Sequence, residues 1–156
     1  QSKRYYHSLI GVNSRLDSLQ AAILNIKLKK LDEYCDARRR VADAYDAAFE
    51  GIEELQTPVR ESKSTHVFHQ YTLQVKNGKR DELQKHLERE GVPSMIYYPV
   101  PLYKQEAFAG FVSEDLRLRV TEKLCDSVLS LPIHTEMTEE VLTKIINGVR
   151  SFFEKD

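Results

Sequence analysis

From Ser14 onward, apolar residues recur at helical spacing. Leu16, Leu19, Ile23 and Ile26 form one stripe, and Leu24, Leu28, Leu31 and Cys35 form a second, offset around the same helix. Ser14 followed three residues later by Asp17 has the spacing of a capping box, so the helix entrance is expected there. The pattern continues through Tyr34, Val41, Tyr45 and Phe49 to Gly51. At about 1.5 Å per residue, one helix over 14–51 would be roughly 55 Å long. A compact globule of this chain length is only about 40 Å across. The helix is therefore expected either to kink or to reach beyond one core, and two apolar stripes favour the second.

Beyond the polar stretch 60–64 the period changes. "HVFHQYTLQV" (66–75) alternates, with Val67, Tyr71, Leu73 and Val75 as inward positions, and predicts a strand. "NGKR" predicts a turn, and 80–90 a short amphipathic helix through Leu83 and Leu87 that stops at Gly91. "VPSMIYYPVP" reads as a short strand ending in a proline-punctuated loop, and a helix is expected from Glu114 to about Ser127. "LSLPI" gives a third strand. A last helix, capped by Thr138, runs through Val141, Ile145, Val149 and Phe152. Residues 57–156 thus read βαβαβα, a small α+β domain.

Composition narrows the function classes. The 156 residues suit one ordinary core, or a small domain with part of another. A hydrophobic fraction of 41%, a charged fraction of 30% and a net charge of -1 describe a globular chain with no uncompensated basic face, so nucleic acid is not an expected partner. No apolar run reaches transmembrane length, so no membrane role is expected. The 2 cysteines, Cys35 and Cys125, sit at helical spacing without a CxxC or Cys/His cluster, which suggests buried free thiols and a cytoplasmic setting.

Two stretches offer chemistry. In "GVNSRLDSLQAAIL" (11–24) a helix N-terminus stands beside Asn13, an amide donor, and Arg15, a guanidinium suited to phosphate or carboxylate. Capping by Asn13 and a solvated Arg15 are the structural alternative. In "IYYPVPLYKQ" (96–105), prolines stiffen a loop carrying Tyr97, Tyr98 and Tyr103, whose rings suit nucleotide or sugar stacking. A packed aromatic corner is the alternative there. His66 and His69 would face opposite sides of a strand, and His86 and His134 lack evident partners, so no metal site is expected. Walker, GxGxxG, nucleophile-elbow and paired-carboxylate signatures are all missing from the chain.

Taken in order, "GVNSRLDSLQAAIL", "HVFHQYTLQV", "YYPVPLYKQEAF" and "LSLPIHTEMTEEV" resemble the C-terminal part of the DegT/DnrJ/StrS family, pyridoxal-phosphate-dependent aminotransferases of nucleotide-linked sugars. The resemblance implies a type I aminotransferase fold. Residues 1–13 would be a remnant of the large cofactor domain, 14–51 a long interdomain helix, and 57–156 the small C-terminal domain. It implies a homodimer with shared active sites, acting on a sugar nucleotide and an amino-acid donor such as glutamate in polysaccharide or modified-sugar biosynthesis. Asn13 matches the asparagine that reaches the cofactor phosphate of the other subunit, Arg15 an arginine near the sugar nucleotide, and Tyr97 and Tyr98 the aromatic pair before the family's P-x-P-L segment. Tyr103 departs from the pattern, because many members carry histidine there. The family's Schiff-base lysine lies upstream of the Asn13 motif, and Lys3 is in the wrong context for it. No catalytic residue is therefore assigned, and this stretch alone is expected to be inactive. The competing expectations are a non-catalytic dimerising α+β module and a regulatory homologue.

Overall fold

In a computed structural model, residues 4–113 and 115–154 are described. Lys3, and the expected start of a helix at Glu114, lie outside them.

The single long helix expected over 14–51 is two helices, α1 (Ser18–Leu28) and α2 (Leu31–Phe49). The cap is Asp17, not Ser14. Its carboxylate accepts the Gln20 amide at 2.7 Å, and the Gln20 side chain returns to the Asp17 amide, closing a capping box. The interruption at Lys29 and Lys30 has a physical reason in the charge order. Lys27 stands in the last turn of α1 and Asp32 and Glu33 in the first turn of α2, so each helix end carries the charge that its own dipole favours. No packed face spans the break to hold the two helices as one rod, because α1 buries no residue.

The remainder packs around a three-stranded antiparallel sheet in the order β1 (Leu55–Gln56), β2 (Tyr71–Val75) and β3 (Val128–Leu131). The register pairs Leu73 with Leu129 and Tyr71 with Leu131. Strand β1 falls before the expected domain start at 57. Along β2, Tyr71, Leu73 and Val75 are buried, as the alternation required. The strand starts later than expected because His66 Nδ1 accepts the Phe68 amide at 2.9 Å, closing a local turn in which Phe68 takes φ +48. That turn reverses the alternation, so Phe68 is buried and Val67 is exposed.

Helices α3 (Arg80–Arg89) and α5 (Glu139–Phe153) complete the core, with α4 (Arg119–Ser127) leading into β3. Leu83 and Leu87 of α3 meet Ile145 and Val149 of α5 in one cluster with Tyr45 and Phe49 of α2. Gly91 takes φ +67, the left-handed turn that ends α3. Thr138 caps α5 by accepting the Val141 amide at 3.3 Å, and this sets the register. Leu142 is therefore buried, and Val141, expected inward, is exposed. The segment 92–101 forms no strand. Only Met95 pairs, exchanging amide–carbonyl bonds of 3.0 and 2.7 Å with Ser130. Pro93, Pro99 and Pro101 have no amide to extend that ladder.

Candidate functional site

Asn13 and Arg15 stand in an irregular segment that precedes α1, and both are exposed. Arg15 Nη1 donates to Asn13 Oδ1 at 2.8 Å. That bond uses the amide oxygen as acceptor, so the Asn13 NH2 remains a donor on an exposed residue beside a guanidinium. The helix N-terminus itself contributes less than the sequence suggested, because the Asp17 carboxylate already takes its first-turn amide and adds negative charge there. The donor set is thus one amide and one guanidinium. This chemistry fits an anionic group: a phosphate such as that of pyridoxal phosphate would meet the Asn13 amide, and Arg15 would stand beside it for the charge of a substrate.

The second element is the loop after Met95. Tyr97 and Tyr98 stand edge to face at 5.9 Å between ring centroids, and Tyr5, from the N-terminal segment, packs edge-on against both at 5.9 and 5.4 Å. Tyr97 also lines a cleft of about 290 Å³ at the C-terminal end of β3, with His69, Gln70, Met95 and Ile133 among its walls. Tyr98 is largely exposed. Among the described residues, no hydrogen bond or ring contact joins Asn13 or Arg15 to these tyrosines.

Tyr103 points elsewhere. Its hydroxyl donates to Glu122 of α4, which also receives Lys104 Nζ at 2.8 Å. Hydrogen bonds from Lys104 and then Tyr103 hold the Glu122 carboxyl below its usual range, and the Glu122 contact raises Lys104. Tyr103 therefore fastens the loop to α4, and its hydroxyl is already engaged.

Two participants escaped the sequence reading, Tyr5 and Gln105. Gln105 is buried, donates Nε2 to the Tyr5 carbonyl at 2.8 Å, and accepts the His7 amide at its Oε1 at 2.9 Å. The Ala107 amide adds a bond to the His7 carbonyl at 3.0 Å. No periodicity links residues about a hundred positions apart in sequence. The only available hint was the Tyr5-Tyr6 pair in a polar terminus.

His86 and His134 have structural partners. His86 Nε2 is 3.2 Å from Ser151 Oγ, and His134 Nδ1 accepts the Glu136 amide at 3.2 Å. Among the described residues, no cluster of His, Cys, Asp or Glu could hold a metal, and no helix is long and apolar enough to cross a membrane. Cys35 and Cys125 are free and buried.

The profile of the DegT/DnrJ/EryC1/StrS aminotransferase family matches residues 1–150. The chain is 39% identical over 152 residues to a pleiotropic regulatory protein of Geobacillus stearothermophilus, covering 96% of this chain and 40% of that protein. It is 42% identical over 134 residues to the UDP-2-acetamido-2-deoxy-3-oxo-D-glucuronate aminotransferase of Pseudomonas aeruginosa, covering 86% of this chain and 36% of that one. Among solved structures, Streptomyces venezuelae DesV superposes with a TM-score of 0.84 at 33% identity, covering 100% of this chain and 42% of DesV. The chain thus spans about two fifths of the length of the curated relatives it matches. It belongs to the DegT/DnrJ/EryC1/StrS aminotransferase family, of whose members it represents a C-terminal portion.

Proposed function

We propose that the complete protein is a pyridoxal-phosphate-dependent aminotransferase that moves an amino group from a donor such as glutamate to a keto-sugar nucleotide. It would work in the cytoplasm as a homodimer with shared active sites, in polysaccharide or modified-sugar biosynthesis. The observation that carries this reading is the match over residues 1–150, which takes in the exposed Asn13–Arg15 pair and the tyrosine loop together.

When bound, pyridoxal phosphate supplies the electron sink that amino-group exchange requires. This chain's residues bind and orient. Asn13 donates its free amide hydrogens to the cofactor phosphate held by the second subunit. Arg15, already fixed against Asn13, presents charge to the sugar nucleotide. Tyr97 and Tyr98 form an aromatic wall with hydroxyl tips, against which a sugar or base ring stacks. Tyr103 contributes to substrate binding by ordering that wall, through its bond to Glu122.

The test is to supply the full-length protein with glutamate and UDP- or dTDP-linked 3-oxo and 4-oxo sugars. Mass spectrometry should then detect the amino-sugar nucleotide together with 2-oxoglutarate. The 156-residue stretch alone should show no absorbance from bound cofactor and no transfer. A regulatory role is the second reading, favoured by the name of the Geobacillus stearothermophilus relative. Full-length protein that binds cofactor yet aminates no keto-sugar nucleotide would support it over the enzyme.

A further inference from the structure

We propose that Tyr5 is a third ring of the substrate-facing aromatic wall and that Gln105 is the positioning residue that holds it there. The proposal rests on the functional reading above and adds two residues to it.

Three observations converge on this pair. The Tyr5 ring meets both Tyr97 and Tyr98 edge-on at 5.9 and 5.4 Å, so each of the three rings touches the other two in one cluster. Tyr5 also has φ +66, a left-handed conformation that a bulky side chain adopts only when its surroundings over-determine it. Gln105 provides that determination. Its side chain is buried, yet both ends of the amide are satisfied by the terminal segment, Nε2 by the Tyr5 carbonyl and Oε1 by the His7 amide.

The chemistry of the latch is specific. One side chain must donate to a carbonyl and accept from an amide two residues further on, and a primary amide does both without charge. Glutamate at 105 would keep the acceptor but set a carboxylate against the Tyr5 carbonyl. Alanine would take from the His7 amide and the Tyr5 carbonyl the one side chain that partners both. In either case the terminal segment loses its anchor, and with it the ring that touches Tyr97 and Tyr98. The Arg4 guanidinium, 5.0 Å from the Tyr5 centroid, moves with that ring and would be drawn from the wall too.

The experiment uses the full-length protein with 3-fluorotyrosine incorporated, and the variants Gln105→Ala, Gln105→Glu and Tyr5→Leu. In the protein without substrate, the 19F resonances of Tyr97 and Tyr98, assigned by single Tyr→Phe changes, should shift and narrow in all three variants. In steady-state assays, KM for the keto-sugar nucleotide should rise about tenfold, the scale of one lost ring contact, while kcat and KM for the amino donor stay within about twofold. Unchanged Tyr97 and Tyr98 resonances in folded Gln105→Glu or Tyr5→Leu would overturn the positioning role. Shifted resonances with an unchanged acceptor KM would overturn the placement of Tyr5 in the wall. Wild-type protein that aminates no keto-sugar nucleotide would instead remove the functional reading, and the resonances alone would still decide what Gln105 holds. Should Gln105→Ala fail to fold, the other two variants carry the test.

Discussion

The Tyr71 hydroxyl of β2 donates to Asp46 Oδ1 of α2 at 2.5 Å, while the other oxygen of the same carboxylate receives Arg60 Nη2 at 2.5 Å. Arg60 also reaches Asp43 at 2.6 Å and lies over the Phe68 ring. One carboxylate therefore ties a helix, a strand and the segment between them, and the tie explains why 57–68 keeps its place without regular structure. Replacing Tyr71 with Phe removes a hydrogen bond to a charged acceptor and should cost about 1.5–3 kcal/mol in equilibrium unfolding. Asp46→Ala should cost at least as much, because it strands the Tyr71 hydroxyl. A Tyr71→Phe protein as stable as the parent would show that Arg60 alone satisfies Asp46.

The same residues set an alkaline limit. Burial, then the Asp46 contact, pushes the Tyr71 hydroxyl well above its ordinary value, and burial does the same to Tyr45, whose hydroxyl donates to the Pro132 carbonyl at 2.7 Å. Because the folded state favours the neutral phenols, their contribution is complete below the unfolded value of about 10 and is lost as pH rises beyond it. Stability should fall steeply above pH 10, and less steeply in Tyr71→Phe. Parallel pH profiles for parent and variant would rule out Tyr71 as a source.

Glu122 acts in the opposite direction. Its carboxyl is held low, first by Lys104 and then by Tyr103, so the charged form is favoured in the folded state. The lock between the tyrosine loop and α4 is therefore intact above the unfolded glutamate value of about 4.3 and is lost as pH falls through the lower folded one. Glu122→Gln should loosen the loop already at neutral pH, seen as faster hydrogen exchange over 102–108. Unchanged exchange there would mean that Gln105 suffices to hold the loop.

Glycine positions separate strain from space. Gly91 has φ +67, and a Cβ there would lie 3.2 Å from Lys144 Nζ, so Gly91→Ala should cost about 1–2 kcal/mol. A Cβ on Gly110 would meet nothing within 4 Å, and Gly110→Ala should stay within about 0.5 kcal/mol of the parent. Equal unfolding midpoints for the two variants would contradict the strain argument.

The fold was legible in the sequence wherever short-range rules decide it. Tyr71, Leu73 and Val75 alternate as a half-buried strand, Leu83 and Leu87 mark a helix face, and Gly91 and Thr138 punctuate as expected, because periodicity and capping act over a few residues. The break at Lys29 and Lys30 was hidden, because an unbroken apolar rhythm outweighed a charge order of only a few residues. Val67 and Val141 were misplaced by a single local bond each, at His66 and at Thr138, which set the register of the adjoining strand and helix. For the candidate site, residue type left Asn13, Arg15, Tyr97 and Tyr98 open between binding and structural roles, and only the family resemblance favoured binding. Tyr5 and Gln105 did not stand out at all, since a buried amide joining residues a hundred positions apart has no sequence signature. Tyr103 could be located in its loop, but its commitment to Glu122 depends on where α4 packs.

Helix α1 presents the sharpest mismatch between composition and burial. Leu19, Ile23 and Ile26 are 72%, 50% and 73% exposed, and no residue of α1 is buried, although the helix is the most apolar in the chain. Side chains left half or more exposed contribute little to folding, so replacing all three with Ser should shift the unfolding midpoint only slightly. The same side chains form a contiguous apolar surface, which drives association in water. The 156-residue stretch should therefore sediment as concentration-dependent oligomers, and the triple variant as a monomer of 18.1 kDa scale. The pairing of outcomes is what discriminates. A parent stretch that is already monomeric at high concentration would mean that α1 finds cover elsewhere, whereas a variant that unfolds would mean that its face is packed after all.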